Sequence, residues 1–445
     1  MNEIFIYTPT LNPRISYIFD LIFNQILGIP KVSLSTDLYA FNQTKEVAKI
    51  NYSNHFIEDV LQFSPHSFLF ETGIRAIRLD FKEHKNLMAA FFHPSTLHNQ
   101  QAIFPFDPFA LSFYLVSRYE EYLPFDADQF GRFSANNSQA YKHGFLQQPL
   151  VNLWAQRIKR LLQQHYPYLE YHSPSYQYTP TYDIDYAYAF LNKGWLRQGA
   201  AFAKNLLRLD RTTLVAQIKT WLRLQKDPYY TFDYLDSLDS TYQIHPIYFW
   251  LVGDYGTYDK NIHHSNKHFR ELIQTKSQTH PIGIHPSFGS NRNQAITKKE
   301  LYRLRDITQQ SIQKSRQHFL MLQFPKTYSE LAQLGIQEDY TMGYAQQLGF
   351  RASIAHPFYW YNLETEECTE LQVFPFQLMD VTLNTYLNLT PKEAIKQAHQ
   401  IIEQTKQVEG HLISIWHNNS FCEQAQWKGW RAVYEAILQE AVTKL

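Results

Sequence analysis

The chain has 445 residues, too many for one ordinary core, so length alone predicts two or three domains. Hydrophobic residues make up 44% and aromatics 16%, ample for packed interiors; the 32 Phe, 31 Tyr and 8 Trp either line clefts for sugars or flat ligands or simply reflect a Tyr-rich composition. Forty-one basic residues balance forty-one acidic ones, which argues against whole-protein attraction to nucleic acid or anionic membrane.

The start of the chain lacks the basic region and long apolar run of a signal peptide. No stretch approaches the roughly 18 apolar residues of a membrane span, so a soluble cytoplasmic protein is expected. Cys368 and Cys422 form no CxxC motif and build no disulfide framework.

In chain order, residues 4–7 predict a strand, and 15–27 a helix after Asn12-Pro13. Residues 67–70 and 86–92 are further apolar segments. Residues 107–122 predict a helix started by Asp107 and Pro108. Arg118, Glu120 and Glu121 at its end are either a site or a solvated helix terminus. A closing helix over 154–165 and a linker over 166–174 complete an N-terminal α/β domain of residues 1–172.

From residue 176 the pattern becomes strand, loop, helix. Residues 181–184, 247–252, 282–284 and 412–416 predict strands. Thr297 with Glu300, Thr327 with Glu330, and Thr390 with Glu393 predict capping boxes at helix starts. Gly335 and Gly410 predict left-handed helix stops. Short strands alternating with helices argue for parallel β/α packing, with active residues at strand C-terminal ends. Residues 194–240 interrupt it with a basic, amphipathic helical insertion carrying Lys204, Arg208, Arg211, Lys219, Arg223 and Lys226. That insertion is either a solvated helix pair or a surface for a partner or membrane.

Polar residues cluster where these strands end. Asp183 and Asp185 lie two apart, so strand alternation turns both to one side. Two close carboxylates need a cation or an Arg between them, which suggests one metal ligand and one base. His285 leaves a strand into a Pro/Ser/Gly loop, where a neutral imidazole can ligate metal or bond to backbone. His417 ends a buried-looking strand, and Arg316 and His318 precede a further Pro and helix.

Taken in order, these features resemble the NodB-like polysaccharide deacetylases (carbohydrate esterase family four) over residues 176–445. Thr181-Tyr182-Asp183-Ile184-Asp185 matches the family's opening motif, and Gly283-Ile284-His285-Pro286-Ser287 its His motif. Arg316 matches the Arg that steadies the base, and Ile415-Trp416-His417 the last motif. The resemblance implies a distorted (β/α) barrel of that type behind a smaller N-terminal α/β domain. It implies Asp183 as base, Asp185 and His285 as metal ligands, His417 as general acid, and a divalent metal, zinc by type. The first 170 residues resemble the N-terminal region of a bacterial subgroup of such proteins.

One position departs from the family pattern. A second His is expected four residues after His285, where Gly289 stands. A catalytic zinc ordinarily needs about three protein ligands, so His318, Asp254, Asp259, His417 and His356 are candidates for the third. Arg351 is an alternative to Arg316. Ser287, Ser290, Asn291, Trp250 and Arg351 are expected to contact substrate, with Tyr255, Phe288 and Trp360 available to stack on sugars. The expected function is removal of an N-acetyl or related acyl group from a glycan or its precursor. A catalytically idle carbohydrate-binding or scaffold protein is the alternative, and a protein partner could dock on the N-terminal domain or the basic insertion.

Overall fold

The computed structural model describes residues 2–94 and 102–443. In the N-terminal part, β1 (Glu3–Tyr7), β2 (Lys31–Ser35), β3 (Ala48–Tyr52) and β4 (Leu61–Phe63) form a parallel sheet in the order β2-β1-β3-β4. Asn12 caps the helix Pro13–Phe19 by accepting from the Ile15 N–H at 2.9 Å, and the chain continues as a π-helical stretch, Asp20–Ile26. Residues 67–70 are a 3-10 turn, and the 86–92 segment keeps only β6 (Leu87–Ala89), paired antiparallel with β5 (Lys82–His84).

Asp107 starts the next helix as expected, accepting from the Phe109 and Ala110 N–H groups, but the helix spans only Pro108–Val116. Arg118 adopts a left-handed φ of 55° that stops it. Arg118, Glu120 and Glu121 are not a solvated terminus: all three are buried. Arg118 Nε donates to Glu121 Oε1 at 2.7 Å, and Arg351 pairs with the same carboxylate. The packing that unites these segments is a continuous apolar core running from Ile4 to Ala441.

The second sheet comprises β7 (Gln177–Ile184), β8 (Ile247–Trp250), β9 (Ile282–Ile284), β10 (Lys314–Ser315), β11 (Glu338–Asp339), β12 (Phe358–Asn362), β13 (Glu367–Val373), β14 (Leu378–Met379) and β15 (His411–His417). Their order is β12-β13-β11-β10-β9-β8-β7-β15-β14, and every pair except β12–β13 is parallel. In a flat sheet β11 and β14, six places apart, would lie about 29 Å from each other. Instead the Phe376 N–H, just before β14, donates to the Met342 carbonyl, just after β11, at 3.0 Å. Phe249, Tyr340, Met379 and Ile415 also share one enclosed apolar cluster. The sheet is therefore rolled. Its ladder does not close, however, because β12 and β14 remain its two edges.

Helix boundaries correct several expectations. Of the three expected capping boxes, only Thr390 with Glu393 forms. Asn293 caps the helix Gln294–Thr308, so Thr297 lies inside it and Glu300 is released to another role. Thr327 lies inside the helix Lys326–Gln333 and receives the Gln323 N–H. Gly335 is left-handed, at φ 79°, but at the other stop Glu409 takes that conformation. Gly410 is needed for close approach instead, since a Cβ there would meet the Ala355 Cβ at 2.6 Å. The insertion is shorter than expected. Helices Trp195–Leu207 and Arg211–Trp221 project, whereas Phe232–Tyr242 buries Phe232, Leu235 and Leu238 in the core.

Candidate active site

The polar residues of the second sheet sit at or just beyond strand C-terminal ends. β7 delivers Asp183 and, one residue past its end, Asp185; His285 follows β9, Arg316 and His318 follow β10, Asp380 follows β14, and His417 ends β15. Asp183, Asp185, His285, His318 and His417 line one cleft of about 170 Å³. Phe319, Met379 and Tyr386 give the cleft apolar wall, and Arg132 reaches it from the N-terminal part.

Three groups within it are arranged for a cation. Asp185, His285 and His318 are all buried and offer donor atoms within 4.8 Å of one another. His285 Nε2 lies 3.2 Å from Asp185 Oδ1, and His318 Nε2 lies 3.4 Å from Asp185 Oδ2. Each ring is held through its other nitrogen. His285 Nδ1 lies 2.5 Å from the Arg316 carbonyl, and His318 Nδ1 lies 2.8 Å from Asp259 Oδ1. Such partners aim the Nε2 lone pairs inward. Asp185 Oδ1 and His285 Nε2 are buried without a hydrogen bond, a costly state unless another species shares the site. The donor set therefore fits a divalent cation of the zinc class.

Asp183 is held differently. Arg316, fully buried over the Phe249 ring, donates from Nη1 to Asp183 Oδ1 at 2.8 Å and to Thr181 Oγ1 at 2.6 Å. Its Nε donates to the Tyr340 carbonyl at 3.0 Å, which fixes the guanidinium plane. Across the strand pair, His417 is the register partner of Asp183. Its Nδ1 lies 2.9 Å from Asp380 Oδ1, and its N–H donates to Asp380 Oδ2 at 2.8 Å.

Electrostatics follow from this packing. Burial would raise the Asp185 carboxyl, but the His318 charge and its contacts with both rings hold it well below its usual range. Burial would lower His318, yet Asp185 and Asp259 push it up to about 9. His417 is likewise lowered by burial and raised more strongly by Asp380, to about 10.

Other expected site residues lie elsewhere. Asp254 is 60% exposed and pairs with Lys299 and Arg303. His356 is buried against Asn152, outside the cleft. Arg351 is committed to Glu121 and the Gly343 carbonyl, so it cannot duplicate Arg316 or meet substrate. Trp250 is fully buried and stacks on Phe232, and Trp360 is also core, so neither offers a sugar face. Ser287 bonds to Glu300, while Ser290 and Asn291 donate to the carbonyl of Ser287. Tyr255 is exposed under the Arg197 guanidinium, 4.0 Å from its ring centre. Phe288 packs on Tyr258 and Phe319, the latter a wall of the cleft. Sequence reasoning passed over Asp380, which stands 37 residues before its His partner, and placed Asp259 among the ligands rather than behind His318.

Comparison with known proteins adds two findings. Residues 4–167 match a family of unknown function, DUF7033. Among solved structures, a protein from Mycobacterium smegmatis described as a candidate polysaccharide deacetylase is 16% identical at a TM-score of 0.41, covering 61% of this chain and 85% of its own. The polysaccharide deacetylase Bc1974 from Bacillus cereus is 12% identical at a TM-score of 0.31, covering 60% and 86%. No curated protein matches the chain.

Proposed function

We propose that this chain is a metal-dependent hydrolase that removes an N-acetyl or related acyl group from a carbohydrate. The observation that carries this reading is the grouping of Asp185, His285 and His318 beside an Arg-held Asp183 and an Asp-held His417. Asp185, His285 and His318 would hold the cation, and zinc suits one carboxylate and two imidazoles. Bound there, a divalent cation supplies Lewis acidity toward an acyl carbonyl and toward water.

The side chains around it divide the proton traffic. Arg316 occupies Asp183 Oδ1, which leaves Oδ2 to take a proton from the attacking water. Asp380 engages His417 Nδ1, so the Nε2 proton is the one available to the departing amine. Asp183 and His417 are register partners on adjacent strands, which supports base and acid acting at one reacting centre. The rolled sheet enters this proposal as a distorted barrel over residues 176–445, with residues 1–172 as an N-terminal domain packed on the same core and lending Arg132 to the cleft.

Metal analysis of the purified wild type beside Asp185→Ala, His285→Ala and His318→Ala tests the proposal, together with acetate release from N-acetylglucosamine oligomers. The wild type should carry about one equivalent of metal and each variant much less. Equal metal in all four proteins would end the metal reading. Metal without acetate release from any N-acetylated glycan would leave the carbohydrate-binding alternative.

A further inference from the structure

The projecting insertion carries charge and apolar surface that the cleft chemistry does not use. Residues 194–226 hold seven Lys and Arg against one Asp, a net +6, which leaves the rest of this neutral chain at −6. Of the exposed Leu, Ile, Val and Trp side chains among the described residues, all but Leu11 and Leu38 lie between Trp195 and Leu224. Leu207 is 86% exposed, Trp195 81% and Leu209 78%. A solvated structural helix pair needs basic residues but gains nothing by holding that many large apolar side chains in water.

The two helices form a self-supporting arm. Phe202 packs on Trp221 with ring centres 5.5 Å apart, and Asp210 caps the second helix through the Thr213 N–H. At the base, Asp227 accepts from the Ala189, Phe190 and Leu191 N–H groups and closes the loop. Arg197 ties the arm to the Lys260 and Asn261 carbonyls, next to the loop that supplies Asp259. The arm is inserted between β7 and β8, after the strand end that carries Asp183 and Asp185, so it leaves the sheet at the strand C-terminal ends, where the cleft lies.

We propose that this arm docks the protein on an anionic lipid bilayer, with the apolar side chains at the acyl boundary and the Lys and Arg on lipid phosphates. Exposed apolar residues flanked by a cluster of cations match a bilayer surface, where both kinds of group are satisfied together. A nucleic acid would engage the cations alone. The −6 balance of the remaining chain is repelled by the same surface, which orients the molecule arm first. Among the described residues no helix is long and apolar enough to cross a membrane, and the docking proposed is interfacial. The substrate this favours, a glycan carried on a lipid, rests on the hydrolase reading above; the docking itself does not.

Co-sedimentation of the full chain with vesicles of phosphatidylcholine alone and of phosphatidylcholine with phosphatidylglycerol at about 7:3 tests the docking. The wild type should pellet with the anionic vesicles, and less so when salt is raised from about 0.1 M to 0.5 M. Leu207→Glu with Leu209→Glu, and separately Arg208→Glu with Arg223→Glu, should each cut the bound fraction at least about ten-fold. These side chains are exposed, so circular dichroism should show both variants folded, and Asp185→Ala should bind vesicles like the wild type. Absence of wild-type binding to anionic vesicles, or unchanged binding by folded arm variants, overturns the proposal. So does an arm that governs self-association or RNA binding while vesicles are ignored. Vesicle binding with no acetate release would leave the docking intact and remove the hydrolase reading.

Discussion

His318 and Asp259 form a buried pair, Nδ1 to Oδ1 at 2.8 Å, and this pair turns His318 Nε2 toward Asp185. Asp259 also accepts the Phe288 N–H at 2.9 Å, so the carboxylate is itself fixed. The ring that completes the cluster thus comes from the segment after β10, rather than from position 289 next to His285.

Asp259→Ala should weaken metal affinity by about 10–100-fold, because the ring loses its tautomer and its orientation together. Competition with a chelating indicator measures this. An unchanged affinity would mean that His318 is positioned by packing alone.

Asp183→Asn should retain metal and lose roughly 10²–10⁴-fold in rate. The amide still accepts from Arg316 at its oxygen but cannot take a proton. Acetate release beside metal content reads both effects, and full activity would exclude Asp183 as the base.

Asp380→Asn should move the alkaline limb of the activity profile to lower pH. Asp380 is the strongest influence holding His417 up at about 10, so without it the ring loses its proton earlier as pH rises. A general acid works only while protonated, so activity falls earlier too. A pH profile of kcat with an unmoved alkaline limb would argue against His417 as the acid.

Glu300→Gln should flatten the stability profile between about pH 4.5 and 7. Burial, opposed by the Ser287 bonds, pushes this carboxyl up to about 7 from 4.5. The folded state then binds more protons than the unfolded one across that window, so stability falls as pH rises through it, by at most roughly 3 kcal/mol. Thermal melts of both proteins from pH 4.5 to 8 test the sign. A wild type that gains stability over this range through Glu300 would contradict it.

Asp183, Asp185, His285 and His417 were legible in the chain because each lies at or just after a short run that predicts a strand, whereas Arg316, after the two-residue β10, was legible only through the resemblance. Residues at strand C-terminal ends converge once the strands lie parallel. Asp107 and Thr390 were legible as caps for a similar reason, since a helix start is satisfied within a few residues. Thr297 and Thr327 show where that locality fails: the motif is present, but the helix begins earlier and Glu300 turns to Ser287.

Local sequence therefore determined the strands that carry Asp183, His285 and His417, the helix starts at Asp107 and Thr390, and the principal polar residues, but not the short strands β10, β11 and β14. Only the tertiary structure decided which histidine joins Asp185 and His285, which carboxylates hold His318 and His417, and that Trp250 and Arg351 belong to the interior. Those choices depend on strand order and on the roll of the sheet, which set residues such as Asp380 and His417 side by side across 37 positions of chain. Spacing along a chain cannot encode such distances, because packing and not sequence separation brings the groups into reach.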